Sequence, residues 1–127
     1  TAATKRAVKL LQSVSTMLLS QTVSLHGVND SVDTLYNLFS GLIEIGVKPY
    51  YLFRCDLVKG AEHFLVDFKK ERKIVSELRR QLSGIAMPLY VIDVPGGNGK
   101  IPVPLDFWPL ADGVKYRDFL GKLNKIV

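Results

Sequence analysis

Within the run "VIDVPGGNGKIPV" at 91 to 103, Lys100 closes the glycine turn, and Asp93 stands seven residues before it. A glycine-rich turn after a strand lets backbone N–H groups approach a ligand closely, most often a phosphate. An amine at the end of such a turn has a chemistry of its own. Desolvation, or crowding by another cation, lowers a lysine's pKa and frees a nucleophilic amine for a carbonyl such as that of pyridoxal phosphate. A solvated surface lysine is the plain alternative. The common nucleotide motifs do not fit: Val94 stands where a phosphate-binding P-loop needs its first glycine, and Ile101 where it needs a hydroxyl. "GGNG" also lacks the spacing of a dinucleotide fingerprint, and the prolines of "KIPVPLDFWP" exclude the helix that should follow.

Two more polar residues fall at comparable places. Gln21, Asp56 and Asp93 each end a strand-like run and are 35 and 37 positions apart, about one strand–helix unit each time. In α/β proteins that rim is where ligands bind, so an amide and two carboxylates are expected to converge there. An aspartate just past a strand is also an ordinary turn former or helix cap. His26 and His63 are isolated and read as surface or loop residues. Cys55, the one cysteine, reads as a small buried residue at a strand end; alone it forms neither a disulfide nor a metal cluster.

The elements that must position these groups alternate. Ala7, Val8, Leu10, Leu11 and Val14 keep helical spacing, and "TMLLSQTVSL" follows as a strand. Asn29, Asp30 or Ser31 can cap a helix striped by Val32, Leu35, Tyr36, Phe39, Leu42 and Ile43, with Gly46 closing it in the left-handed conformation. Pro49 marks the exit into the strand "YYLFRC". A third unit repeats the scheme: Asp67 as cap, Phe68, Ile74, Val75, Leu78 and Leu82 on one face, Gly84 as stop, then "LYVID". "GVKPYYLFRCD" and "GIAMPLYVID" look alike, and the alternation predicts an α/β fold with a parallel sheet.

At 127 residues and 47% hydrophobic composition the chain can bury one core, and its apolar stretches are too short to span a membrane. A reducing, cytoplasmic setting is the simpler expectation for a single cysteine. The net charge of +5 raises the question of nucleic acid, but "KKERKIVSELRR" mixes Glu71 and Glu77 among its cations and reads as a solvated helix face. No nucleic-acid partner is expected.

Three segments, "SQTVSLHGVND" (20 to 30), "GVKPYYLFRCDLVKGAEHF" (46 to 64) and "SGIAMPLYVIDVPGGNGKIPV" (83 to 103), together resemble the C-terminal half of the lysine 2,3-aminomutase family. The resemblance covers roughly 1 to 104; the tail, 105 to 127, matches little and is expected to carry a short helix. It implies the last strand–helix units of a partial, open TIM-like barrel. It also implies an isomerase using pyridoxal phosphate, S-adenosylmethionine and a [4Fe–4S] cluster to move the α-amino group of L-lysine to the β-carbon. In that family the loop lysine is the covalent tether of pyridoxal phosphate, and Lys100 is the matching position, with Gly96, Gly97 and Gly99 as its turn. Asn98 stands where a fourth glycine is usual, a tolerable change because asparagine accepts left-handed conformations. Asp56 and Asp93 match the pair that holds the distal ammonium of the substrate, and Gln21 matches a residue near S-adenosylmethionine.

The family's three-cysteine cluster motif is missing, so the cluster ligands are not in this chain. The chain therefore reads as a fragment or split subunit, inactive alone, with a strand edge inviting self-association or the missing barrel portion. Its alternative is a non-catalytic α/β remnant or interaction module.

Overall fold

A computed structural model describes residues 1–14, 17–107, 115–118 and 120–125. Helix α1 (Ala2–Gln12) leads to β1 (Leu18–Ser24), α2 (Val32–Glu44), β2 (Val47–Arg54), α3 (Phe68–Gln81), β3 (Leu89–Asp93) and β4 (Lys100–Pro102). Strands β1, β2 and β3 lie parallel in that order, and β4 adds antiparallel to β3. The result is an open, mixed four-stranded α/β sheet with three helices.

Local chemistry accounts for the boundaries. Ser31 is the cap of α2, its hydroxyl accepting from Thr34 N, and Asp67 caps α3 by accepting from Lys70 N. Asn29 and Asp30, the other two cap candidates, organise the preceding turn. Gly46 ends α2 at φ +77°, a conformation that costs any side chain dearly. Gly84 is not the stop of α3: the helix already leaves helical geometry at Leu82, and Gly84 has no positive φ.

Strand β2 begins before Pro49 rather than after it. The register runs Ser20 with Pro49 and then Gln21 with Tyr51, so Tyr50 is skipped in a bulge. Proline has no N–H for the ladder, and a bulge is where a sheet tolerates it.

One face of the sheet carries the core. Leu35 and Phe39 of α2, Val75 and Leu78 of α3, Leu52 of β2 and Tyr90 of β3 form one cluster. The alternate residues face the other way, where Leu19, Val23 and Leu89 remain exposed. Helix α1 keeps the expected stripe but buries none of it; Gln12 ties the helix to Ile45 O at 2.9 Å. Helix α3 also straps the chain beyond β4, as Arg72 donates to Pro104 O and pairs with Asp106 at 2.7 Å. In the tail, β5 (Lys115–Arg117) and β6 (Leu123–Lys125) form a separate antiparallel pair. The short helix expected in this tail has no counterpart in its described strands, and 108–114 lie outside the described residues.

Candidate functional site

The C-terminal ends of β2 and β3 and the glycine loop enclose a groove of about 600 Å³. Asp56 and Asp93 both line it, as do Arg54, Cys55 and Gly97. The two aspartates are not level: Asp93 is the last residue of β3, whereas Asp56 lies beyond Arg54, where β2 ends.

The glycine loop is a hairpin turn. Gly96, Gly97 and Gly99 have φ of +81°, +76° and +95°, and Val94 N donates to Gly99 O at 2.9 Å. Any L side chain is strained at those angles, so the glycines are there for the backbone path. Asn98 is not left-handed, contrary to the expectation for a glycine replacement. It serves the turn through its side chain, Nδ2 donating to Pro95 O at 2.9 Å.

Strand β4 then carries Lys100 back to Asp93. The two are register partners, and Lys100 Nζ donates to Asp93 Oδ2 at 3.1 Å. Directly paired residues share a sheet face, here the one away from the helices. Phe53 shares it too, with the Lys100 ammonium 5.6 Å from its ring centroid, within cation–π range. Lys100 is part-exposed, an amine held by a carboxylate and an aromatic face yet still reachable.

Gln21 does not sit at the rim. It lies in the middle of β1, which continues to Ser24, and pairs with Tyr51 rather than with the strand ends. It is exposed on the face that carries Asp93 and Lys100 but lies outside the groove lining. Beyond β1 the polar work falls to Asn29, whose Oδ1 accepts from Leu25 N at 2.7 Å and whose Nδ2 donates to Val23 O at 2.9 Å.

Beneath the groove is a charged network. Arg54 Nη1 pairs with Glu71 Oε2 and donates to Val66 O at 3.0 Å, while Tyr90 Oη donates to the same Glu71 oxygen at 2.6 Å. Glu71 is 1% exposed, so it is not part of a solvated helix face. Burial first, then the Glu71 carboxylate, pushes the Tyr90 hydroxyl's pKa up, and burial raises that of Cys55. Glu71, Val75 and Leu78 follow a four-then-three spacing that runs into the apolar face, and this pattern marks Glu71 as inward-facing.

The described residues contain no group of three or more His, Cys, Asp or Glu side chains arranged to hold a metal ion. No described helix is long and apolar enough to cross a membrane.

No family model matches the chain. Individual relatives do. It is 43% identical over 99 residues to the L-lysine 2,3-aminomutase of Fusobacterium nucleatum, covering 78% of this chain and 23% of that protein. The chain belongs to the lysine 2,3-aminomutase family. The Clostridium subterminale L-lysine 2,3-aminomutase is 44% identical over 98 residues, 77% of this chain and 24% of that protein. For Methanococcus maripaludis the L-lysine 2,3-aminomutase match is 39% over 126 residues, 97% of this chain and 29% of the relative. That last alignment extends over the tail as well, whereas the first two cover 99 and 98 residues. The chain thus spans about a quarter of the length of the curated relatives it matches.

Proposed function

We propose that this chain forms the ammonium- and cofactor-binding end of an L-lysine 2,3-aminomutase, an isomerase moving the α-amino group of L-lysine to the β-carbon. The observation that carries the reading is one groove lined by Asp56 and Asp93, with Asp93 paired to the loop amine Lys100. Two carboxylates around one ammonium attract a lysine side chain and repel an acidic one. Asp93 also orients Lys100 across the β3–β4 pair, so one carboxylate serves both the loop amine and the groove.

Lys100 fits pyridoxal phosphate by the chemistry of its donor: a reachable primary amine at the end of a turn whose glycines leave the backbone path unobstructed. Lys100 would hold the cofactor's carbonyl carbon, with Gly96, Gly97 and Gly99 shaping the loop around it. When bound, pyridoxal phosphate supplies a conjugated ring that delocalises electrons during nitrogen migration. Gln21, on the same open face, is proposed to lie toward S-adenosylmethionine.

A [4Fe–4S] cluster does not fit the residues present, since Cys55 is the one cysteine and is buried. Its ligands would come from another part of the protein or from a partner. A partial TIM-like barrel is supported by three parallel strands with their helical core on one face and the groove at the strands' C-terminal ends. Strand β1 is a sheet edge carrying exposed Leu19 and Val23, which supports association with further barrel strands or a second copy. A cytoplasmic setting is part of the same proposal.

The test is substrate kinetics of Asp56→Asn and Asp93→Asn in the protein expressed from its complete reading frame. Each change is expected to raise KM for L-lysine by about tenfold or more, because it removes a charge facing the substrate ammonium. Wild-type KM in both variants, or no β-lysine from the parent protein, would contradict the reading.

A further inference from the structure

Arg54 borders the groove beside Asp56 and Asp93, which puts a cation at a site whose two carboxylates are proposed to take one. Left to itself, a guanidinium would pair with such a carboxylate, being a planar fork suited to that geometry. Asp56, two residues further along the chain, is an obvious rival partner for it.

The guanidinium is instead turned beneath the sheet. Glu71 from α3 takes its charge, Val66 O takes a hydrogen bond, and the Phe68 ring lies 5.2 Å from its central carbon. Tyr90 of β3 donates to the same carboxylate oxygen at 2.6 Å. Among the described residues Glu71 Oε1 has no hydrogen-bond partner although it is buried. An acidic side chain with half its acceptors unused is a poor device for stability alone, since buried ion pairs often do no better than an apolar replacement. Its charge has a use in holding Arg54.

We propose that Glu71 sequesters the Arg54 guanidinium under the sheet, so that the Asp56 and Asp93 carboxylates stay available to a cationic ligand. Glu71 is thus a specificity-determining positioning residue that never touches the ligand. This role rests on the lysine-binding reading above.

The test compares binding of L-lysine and of L-norleucine, the same chain without the terminal ammonium, by calorimetry in the protein expressed from its complete reading frame. Glu71→Gln keeps the size and an acceptor for Tyr90 but releases Arg54. It is expected to weaken L-lysine binding about tenfold while leaving L-norleucine binding unchanged. The double variant R54Q/E71Q, which has no guanidinium to release, is expected to bind L-lysine within about threefold of the parent. Undiminished lysine preference in E71Q, or a double variant as weak as E71Q, would overturn the role of Glu71 alone. A parent protein that does not prefer L-lysine to L-norleucine would contradict the role and the underlying reading together. Should E71Q fail to fold, Glu71→Asp, whose shorter side chain withdraws the carboxylate from the guanidinium, takes its place with the same expected loss, and a tenfold loss in the double variant still refutes sequestration.

Discussion

Asp30 accepts hydrogen bonds from Lys70 Nζ at 2.7 Å, from Gly27 N at 3.1 Å and from His26 Nδ1 at 3.0 Å. The Lys70 contact leads in drawing its pKa down from 3.8 to about 2. A carboxylate depressed in the folded state stabilises the protein above its unfolded pKa, and that contribution fades as pH falls through the folded value. The stability difference between parent and Asp30→Asn is therefore expected to be constant above about pH 5 and to shrink between about pH 4 and 2, measured by urea unfolding. A difference independent of pH would contradict the assignment. At this scale the sequence announces Asp56, Asp93 and Lys100 through their place at strand ends and after the glycine turn. Phe53 and Arg54 are hidden in it, because which face a strand residue takes depends on register, and the Tyr50 bulge shifts the count.

Among the elements, the α2 to β2 corner depends on Gly46. Its φ of +77° is strained for alanine, and a Cβ there would lie 2.3 Å from Gln12 Nε2, the group that ties α1 to Ile45 O. Gly46→Ala is expected to cost about 1–2 kcal/mol from the left-handed backbone, with further loosening of α1, read by thermal unfolding and amide exchange. Unchanged stability would show that the corner tolerates a side chain. Removing the α2 cap with Ser31→Ala is expected to cost about 1 kcal/mol by the same melt. Helices α2 and α3 and the three parallel strands were legible because apolar spacing and caps agree with the packing. The fourth strand was not, although the apolar runs flanking its glycine turn carry a hairpin pattern. Three residues give too little alternation to mark a strand. Glu71 was misleading for a different reason: composition counts it with a charged run, while its partners Arg54 and Tyr90 lie 17 and 19 positions away and become visible only in the fold.

As a whole, the molecule holds a groove at one end of an open sheet whose uncovered face and β1 edge expose Leu19 and Val23. It spans about a quarter of its lysine 2,3-aminomutase relatives and has one cysteine. The 127-residue chain by itself is accordingly expected to form no β-lysine under anaerobic conditions with reductant, S-adenosylmethionine and pyridoxal phosphate. Product from the isolated chain would mean that a thiolate cluster is not required of it. The central claim, that Lys100 is the cofactor's anchor beside an ammonium-binding groove, is tested most directly by borohydride reduction. The protein expressed from its complete reading frame is incubated with pyridoxal phosphate, reduced, digested and mapped by mass spectrometry. The account predicts a reduced pyridoxyl group on Lys100 that disappears in Lys100→Arg. Absence of label at Lys100, or equal labelling scattered over surface lysines in both proteins, would contradict it.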